Sequence, residues 1–320
     1  HLHPARAPPT ERRSFAVLIS ALRPFSVPPR RRPRYLPRPM PFDLTLAGVP
    51  TAPTPFTYTW KDAALYALGV GATPDELAWL YEKTEGGMRV LPSFAVVPTF
   101  APMFDLLAKT GGDLSLLLHG TQRITLHRPF PADATVTTTA KVRDFYDLRR
   151  LAVVLVDTET KDAAGALIAE TTYTLIFRGD GGFGGPTPPK EEKITAPKGV
   201  EPTFVVEEAT RKEQALLYRL NGDTNPLHAD PVFAANVGFT QGPILHGLAT
   251  YGFLARHVTR ALAAGDHGKL RVLEAQFKKP VWPGDTLITE GWQLESGKIA
   301  LQVKVKERDE VVVTGFAELF

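Results

Sequence analysis

The chain has 320 residues, 43% of them hydrophobic and 22% charged, enough material for one large core or two packed units. It contains no Cys, which excludes disulfides, Cys-ligated zinc, iron–sulfur clusters and thiol catalysis, and no apolar run approaches the roughly 20 residues of a membrane helix. The formal charge of +3 is unevenly spread: residues 1–40 hold nine Arg and a single acid, Glu11, so the other 280 carry about −5 and give no reason to expect a nucleic-acid partner.

In chain order, residues 1–41 read as a disordered Arg- and Pro-rich leader, with Met40-Pro41-Phe42-Asp43 a natural start for the folded part. An Arg-rich, acid-poor leader has the composition of an organelle transit peptide, a mitochondrial one included. The C-terminal Glu318-Leu319-Phe320 is not of the peroxisomal Ser-Lys-Leu type. Residues 61–69 predict a helix, and Leu91–Phe104 is an apolar stretch. Period-two segments then predict antiparallel strands at Thr121–Pro129, Ala134–Phe145, Leu151–Thr158 and Ala166–Phe177. Gly, Pro and charged residues dominate 178–201, which reads as a linker between a first unit (42–177) and a second (202–320).

The second unit repeats this order. A helix is predicted over 208–220, and a long one over Ile244–Ala264 with Gly265 closing its C-terminus. Strands follow at Leu270–Pro280, Asp285–Leu294, Lys298–Lys306 and Glu310–Phe320. Ala64–Gly69 resembles Leu216–Asn221 at an offset of 152, and Arg128–Thr135 resembles Lys279–Thr286 at 151, which suggests tandem duplication. The fold class is α+β, each unit a long helix wrapped by an antiparallel sheet.

Only the second unit carries an obvious reactive string, Asp223-Thr224-Asn225-Pro226-Leu227-His228; its counterpart in the first has Gly71 where Asp223 stands. A carboxylate and an imidazole on a Gly- and Pro-broken loop can both give and take protons near neutral pH. Pro243-Ile244-Leu245-His246-Gly247 opens the long helix, and free backbone N–H groups at a helix start can hold a developing oxyanion. Asp230-Pro231 reads as a helix cap with Pro in the first turn. The two His lack the His-Glu-x-x-His spacing of a metal centre, so no metal is expected.

At these residues the chain resembles the hydratase 2 family, the (R)-specific 2-enoyl-CoA hydratases of MaoC-like double hotdog fold, a module also found in peroxisomal multifunctional enzyme type 2. The likeness runs from about Phe42 to Phe320 and includes Ala63–Ala72, Gly181-Gly182-Phe183-Gly184-Gly185, Gly222–Pro231 and Gly238-Phe239 followed by Pro243–Leu248. Thr240-Gln241-Gly242 is one residue longer than the family spacing. The resemblance implies hydration of a trans-2-enoyl-CoA to the (3R)-3-hydroxyacyl-CoA, with Asp223 and His228 as the acid–base pair. Asn225 would orient the water, and the Gly247 amide would face the thioester oxygen. For such a substrate Lys278, Lys279 and Arg256 are candidate partners of the coenzyme A phosphates, with plain solvated charge the alternative for each, and His246 reads as a structural residue beside the substrate. Coenzyme A belongs to the substrate and no separate cofactor is expected. Loss of helical order over Leu91–Phe104 in a degenerate first unit would open an acyl-chain pocket, two chains would pair, and the location would be peroxisomal. The alternatives are an acyl-CoA thioesterase on the same fold and a non-catalytic acyl-CoA-binding module.

Overall fold

The structure, a computed structural model, describes residues 42–190, 193–263 and 266–320; the leader and Gly265 lie outside them. The first half supplies strands β1 (Thr54–Tyr58), β2 (Leu117–Leu126), β3 (Ala134–Asp147), β4 (Leu151–Lys161) and β5 (Leu167–Arg178). The second supplies β6 (Phe204–Ala209), β7 (Leu270–Phe277), β8 (Thr286–Gln293), β9 (Ile299–Val305) and β10 (Glu310–Leu319). All ten join one antiparallel sheet in the order β1-β3-β4-β5-β2-β7-β10-β9-β8-β6. Read outward from the centre, each half follows the same permutation, as duplication requires. The seam is the β2·β7 pair, in register from Thr121↔Gln276 to Thr125↔Val272, with Arg123 Nη1 3.1 Å from Glu274 Oε2 across it.

The eight predicted strands are all present because alternation places one side chain in two against the core; in β2 the pattern holds without a break from Gly120 to Leu126. Two further strands, β1 and β6, lie at the sheet's outer edges, and β6 replaces the first residues of the helix expected over 208–220. That helix is only α3 (Gln214–Tyr218), continued by a 3-10 turn at Arg219–Asn221; α1 (Trp60–Gly69) falls where it was predicted. The two pack together, and Gln214 Nε2 donates to the carbonyls of Leu68 and Gly69, satisfying the end of α1.

The expected loss of helical order over Leu91–Phe104 is not found. Pro92–Val96 is a 3-10 helix and α2 spans Val97–Lys109. Buried Pro98, Thr99, Pro102, Met103, Leu106 and Leu107 recur at helical spacing and seat one face on the sheet, while Phe104 on the other face stays exposed.

A short α4 (Pro231–Asn236) precedes α5 (Gly247–Leu262), which starts three residues later than predicted because Ile244–His246 are extended, with Leu245 N–H bonded to the Val281 carbonyl. All twelve residues from Leu248 to Thr259 are buried. Gly252 lets α1 come close: a Cβ there would lie 2.2 Å from Val70 Cγ1. One hydrophobic cluster joins both halves, from Tyr58, Phe94 and Ile124 to Leu248, Leu273 and Val303. Among the described residues, no helix is long and apolar enough to cross a membrane.

Total enclosure of α5 makes Arg256 a structural residue. It is 0% exposed, with Nη1 2.6 Å from Glu76 Oε2, Nη2 on Glu208 and Nε donating to the Val70 carbonyl. His257 joins in, its Nδ1 2.8 Å from Thr289 Oγ1 and its Nε2 3.3 Å from Glu208 Oε2. Burial acts to raise the Glu208 carboxyl, but the His257 hydrogen bond and the neighbouring positive charges overcome it and hold the group below its ordinary range. The expectation that Arg256 meets a coenzyme phosphate is therefore corrected: its donors are committed inside the core. Removing one partner of a buried ionic set strands the others, so Arg256→Met should lower stability by about 3–5 kcal/mol, read from urea unfolding. An unchanged midpoint would contradict this.

Candidate active site

A run of local caps fixes the loop after α3. Gly222, at φ 119°, turns the chain in a conformation that a side chain would resist. The Asp223 carboxylate then accepts the Asn225 N–H at 3.2 Å, and Asn225 Oδ1 accepts the Leu227 N–H at 3.0 Å, capping a 3-10 turn at Pro226–His228. Asp230 caps α4 through the N–H groups of Val232 and Phe233, as its spacing predicted. Asp223 and His228 are thus carried on a loop whose turns are all internally bonded.

His228 is 8% exposed, and its Nδ1 lies 2.9 Å from the Ile244 carbonyl. A carbonyl only accepts, so Nδ1 carries the hydrogen and Nε2 presents a lone pair. Burial lowers the His228 pKa from 6.5, against the opposing charge of Asp223. His246, the residue before α5, donates Nε2–H to the Asp223 carbonyl at 3.1 Å. Its ring stacks on His228 with centroids 3.7 Å apart at 24°, and packs against Tyr218 at 4.9 Å. Burial first, then the charge of His228, pushes the His246 pKa down to about 2, so this imidazole stays neutral.

Asp223, His228 and His246 each offer one polar atom within 4.8 Å of the others. That is close enough for a metal centre, but stacked rings send their lone pairs out side by side instead of toward one point between them, which suits tetrahedral coordination poorly. The arrangement suits proton transfer: an ionisable carboxylate and a neutral imidazole with one free nitrogen, fixed in place. Gly247 follows directly as the first residue of α5, where a backbone N–H has no acceptor within the helix and meets the positive end of its dipole. A Cβ at Gly247 would sit 3.4 Å from the Phe277 ring, so that aromatic side chain packs directly against the start of α5.

Not every candidate converges here. Asn225 is exposed, with its side-chain oxygen used as a cap. His246 has its Nε2–H committed to the Asp223 carbonyl and is only 1% exposed, which accords with the structural reading and not with direct substrate contact. Lys279 lies 3.5 Å from Glu310 as an ion pair. Lys278, one residue beyond Phe277, lines a groove of about 940 Å³ on the sheet's outer face with Gln276, Thr314 and Lys193; burial and the Lys193 charge lower its pKa. Arg256 is enclosed, as described above.

The structure also adds residues that sequence reasoning missed. His119, on β2 at a register shift, stacks on Tyr173 at 5.4 Å and meets Phe277 edge-on at 5.0 Å. Its Nε2 is buried with no hydrogen-bond partner among the described residues, and burial brings its pKa to about 4. Tyr173, bonded to Thr99 at 2.6 Å, is held well above the ordinary phenol range by burial, and Asp223 adds to the effect. The first half thus supplies a neutral, aromatic wall. A lone imidazole in an apolar and Thr-rich strand was the available signal.

Comparison with known proteins gives a consistent picture. Residues 56–179 match the MFE-2 hydratase 2 N-terminal domain, and 193–315 the MaoC like domain. The 3-hydroxyacyl-thioester dehydratase Y of Mycobacterium tuberculosis is 39% identical over 277 residues, covering 84% of this chain and 94% of that one. The peroxisomal enoyl-CoA hydratase 2 of Arabidopsis thaliana is 37% identical over 290 residues, covering 83% and 91%. The crystal structure of a MaoC-like dehydratase from Phytophthora capsici superimposes with a TM-score of 0.77 at 32% identity, covering 85% and 96%.

The capping geometry is open to direct measurement. Asn225→Ala should lower stability by about 1 kcal/mol, and Asn225→Ser by clearly less, since Ser caps nearly as well. Equal losses in thermal unfolding of the two variants would show that the cap contributes nothing.

Proposed function

The chain belongs to the MaoC-like hydratase 2 family, and on that premise we propose that it is a hydro-lyase adding water to trans-2-enoyl-CoA to give (3R)-3-hydroxyacyl-CoA. The reaction runs in either direction, so the same protein is a 3-hydroxyacyl-CoA dehydratase. The reading rests above all on one observation: a carboxylate and an imidazole with a free Nε2 lie together, on a capped loop, at the N-terminus of a buried helix.

Each group then takes one role. Water lies between Asp223 and His228, where the carboxylate orients it and the His228 Nε2 lone pair accepts a proton as oxygen bonds to C3. Electron density from the 2,3 double bond moves to the thioester oxygen, where the Gly247 N–H and the α5 dipole stabilise it, an effect worth roughly 10²–10³ in rate. His228 Nε2–H next returns its proton to C2, the oxyanion collapses, and the imidazole is neutral again. One water has supplied both the hydrogen and the hydroxyl, and one cluster serves one face of the alkene, which fixes a single product hand. Asn225 supports the water position through the turn it caps. No metal enters the scheme, and coenzyme A comes with the substrate.

The acyl chain is taken to lie along the aromatic wall formed by Tyr173 and His119 of the first half and Phe277 of the second. Lys278 is the candidate partner for coenzyme phosphates, which have to come round the sheet rim to meet it. Peroxisomal location is supported by the Arabidopsis relative's name, and the Arg-rich leader supports a mitochondrial alternative.

Incubation of the purified protein with trans-2-enoyl-CoA should abolish the conjugated thioester absorbance and yield only the 3R alcohol by chiral analysis; unchanged absorbance or a 3S product refutes the reading. Asp223→Asn and His228→Gln should each lower kcat by on the order of 10²–10⁴. His228 acts as the neutral base and burial lowers its pKa from 6.5, so activity should persist below pH 6.5 and fall only as the pH drops through the lowered value. An acid limb of kcat/KM at or above 6.5 would contradict that assignment.

A further inference from the structure

We propose that His246 is a positioning residue that sets the geometry of both proton-transfer groups, an inference that rests on the hydratase reading above. Three contacts meet on its side chain and backbone. The Nε2–H holds the Asp223 carbonyl at 3.1 Å, one ring face lies 3.7 Å from the His228 imidazole, and its own carbonyl accepts the Ala249 N–H at 3.0 Å in the first turn of α5. Its peptide bond leads into Gly247. A single buried ring therefore ties the acid's backbone, the base's ring and the oxyanion-binding amide to one another.

The residue type is constrained by each contact. A donor is required on the edge facing Asp223, because a carbonyl left bare inside the site is costly. A flat ring is required against His228, because the stack excludes water and contributes to the burial of that imidazole. Neutrality is required too. During turnover His228 takes up a proton, and a second imidazolium 3.7 Å away would repel it. The enclosure by Tyr218 and His228 keeps His246 uncharged, so the stack survives both protonation states of its neighbour.

Two substitutions separate these contributions. His246→Gln places an amide N–H where Nε2–H stood but removes the ring. It should retain most of kcat, while the newly hydrated His228 shifts the acid limb of kcat/KM to higher pH. His246→Phe keeps a ring on His228 but removes the donor. It should leave that limb in place while lowering kcat by up to about 10²-fold through misplacement of Asp223, with KM nearly unchanged. Stopped-flow hydration of trans-2-enoyl-CoA across pH, with melting curves in parallel, measures all of this. The proposal is overturned if both variants keep the wild-type kcat, KM and pH limb and differ only in melting temperature, for then His246 merely packs. It is also overturned if Gln and Phe give the same kinetic defect. A failure of the hydratase reading looks different: wild-type protein leaves the enoyl thioester unchanged, or Asp223→Asn retains full activity.

Discussion

A helix enclosed between its own strands and the α1 end of the first half has no solvent face from Leu248 to Thr259, and most of this molecule follows from that constraint on α5. Leu, Ala and Phe at its buried positions satisfy it directly. Polar residues satisfy it only by finding partners inside, which is why Arg256 draws Glu76 from the first half and Glu208 from an edge strand into the core. Tyr251 likewise donates to the Leu273 carbonyl at 2.8 Å and fixes the helix against β7. With its flanks anchored, α5 presents its N-terminus in one place, and that end carries His246 and Gly247. The ionic set deep in the core and the cluster of Asp223, His228 and His246 are two consequences of the same burial.

The two halves share a topology but have divided the work. Both place a helix against their own five strands of the common sheet, yet α5 is enclosed along twelve residues whereas α2 buries a single face. The first half carries Gly71 where the second has Asp223, and Cβ at that glycine would lie 2.3 Å from the Phe253 ring. A position that holds a carboxylate in one copy has become a packing contact in the other. What the first half gives the site is an uncharged aromatic surface from Tyr173 and His119, with phenol and imidazole both kept neutral by burial.

How much of this could be read from the chain depended on how local the cause was. Period-two alternation revealed eight strands, and the turn residues Gly222, Asn225, Pro226 and Asp230 announced a capped loop, because each acts within a few positions of itself. Strand β1 was missed since its five residues include Pro55 and pair with one neighbour only, and β6 was missed because Glu207, Glu208 and Ala209 favour helix in isolation. Arg256 was misassigned for a non-local reason: a cation on an amphipathic helix normally faces water, and nothing in the sequence says that this helix has no such face. Lys278 depended on strand register, which sent Phe277 toward the site and its neighbour to the outer surface. His119 became relevant only when β2 met β7.

The β2·β7 seam makes the halves continuous by main-chain pairing over five residues on each side. Separating them would bare two strands with unsatisfied N–H and C=O groups, each a template for intermolecular pairing. Neither repeat can loosen without uncovering the other's border, so the chain should lose its structure in a single cooperative transition. A break anywhere between the repeats would leave fragments that hold together by the shared sheet and the core packed beneath it, and that aggregate once parted.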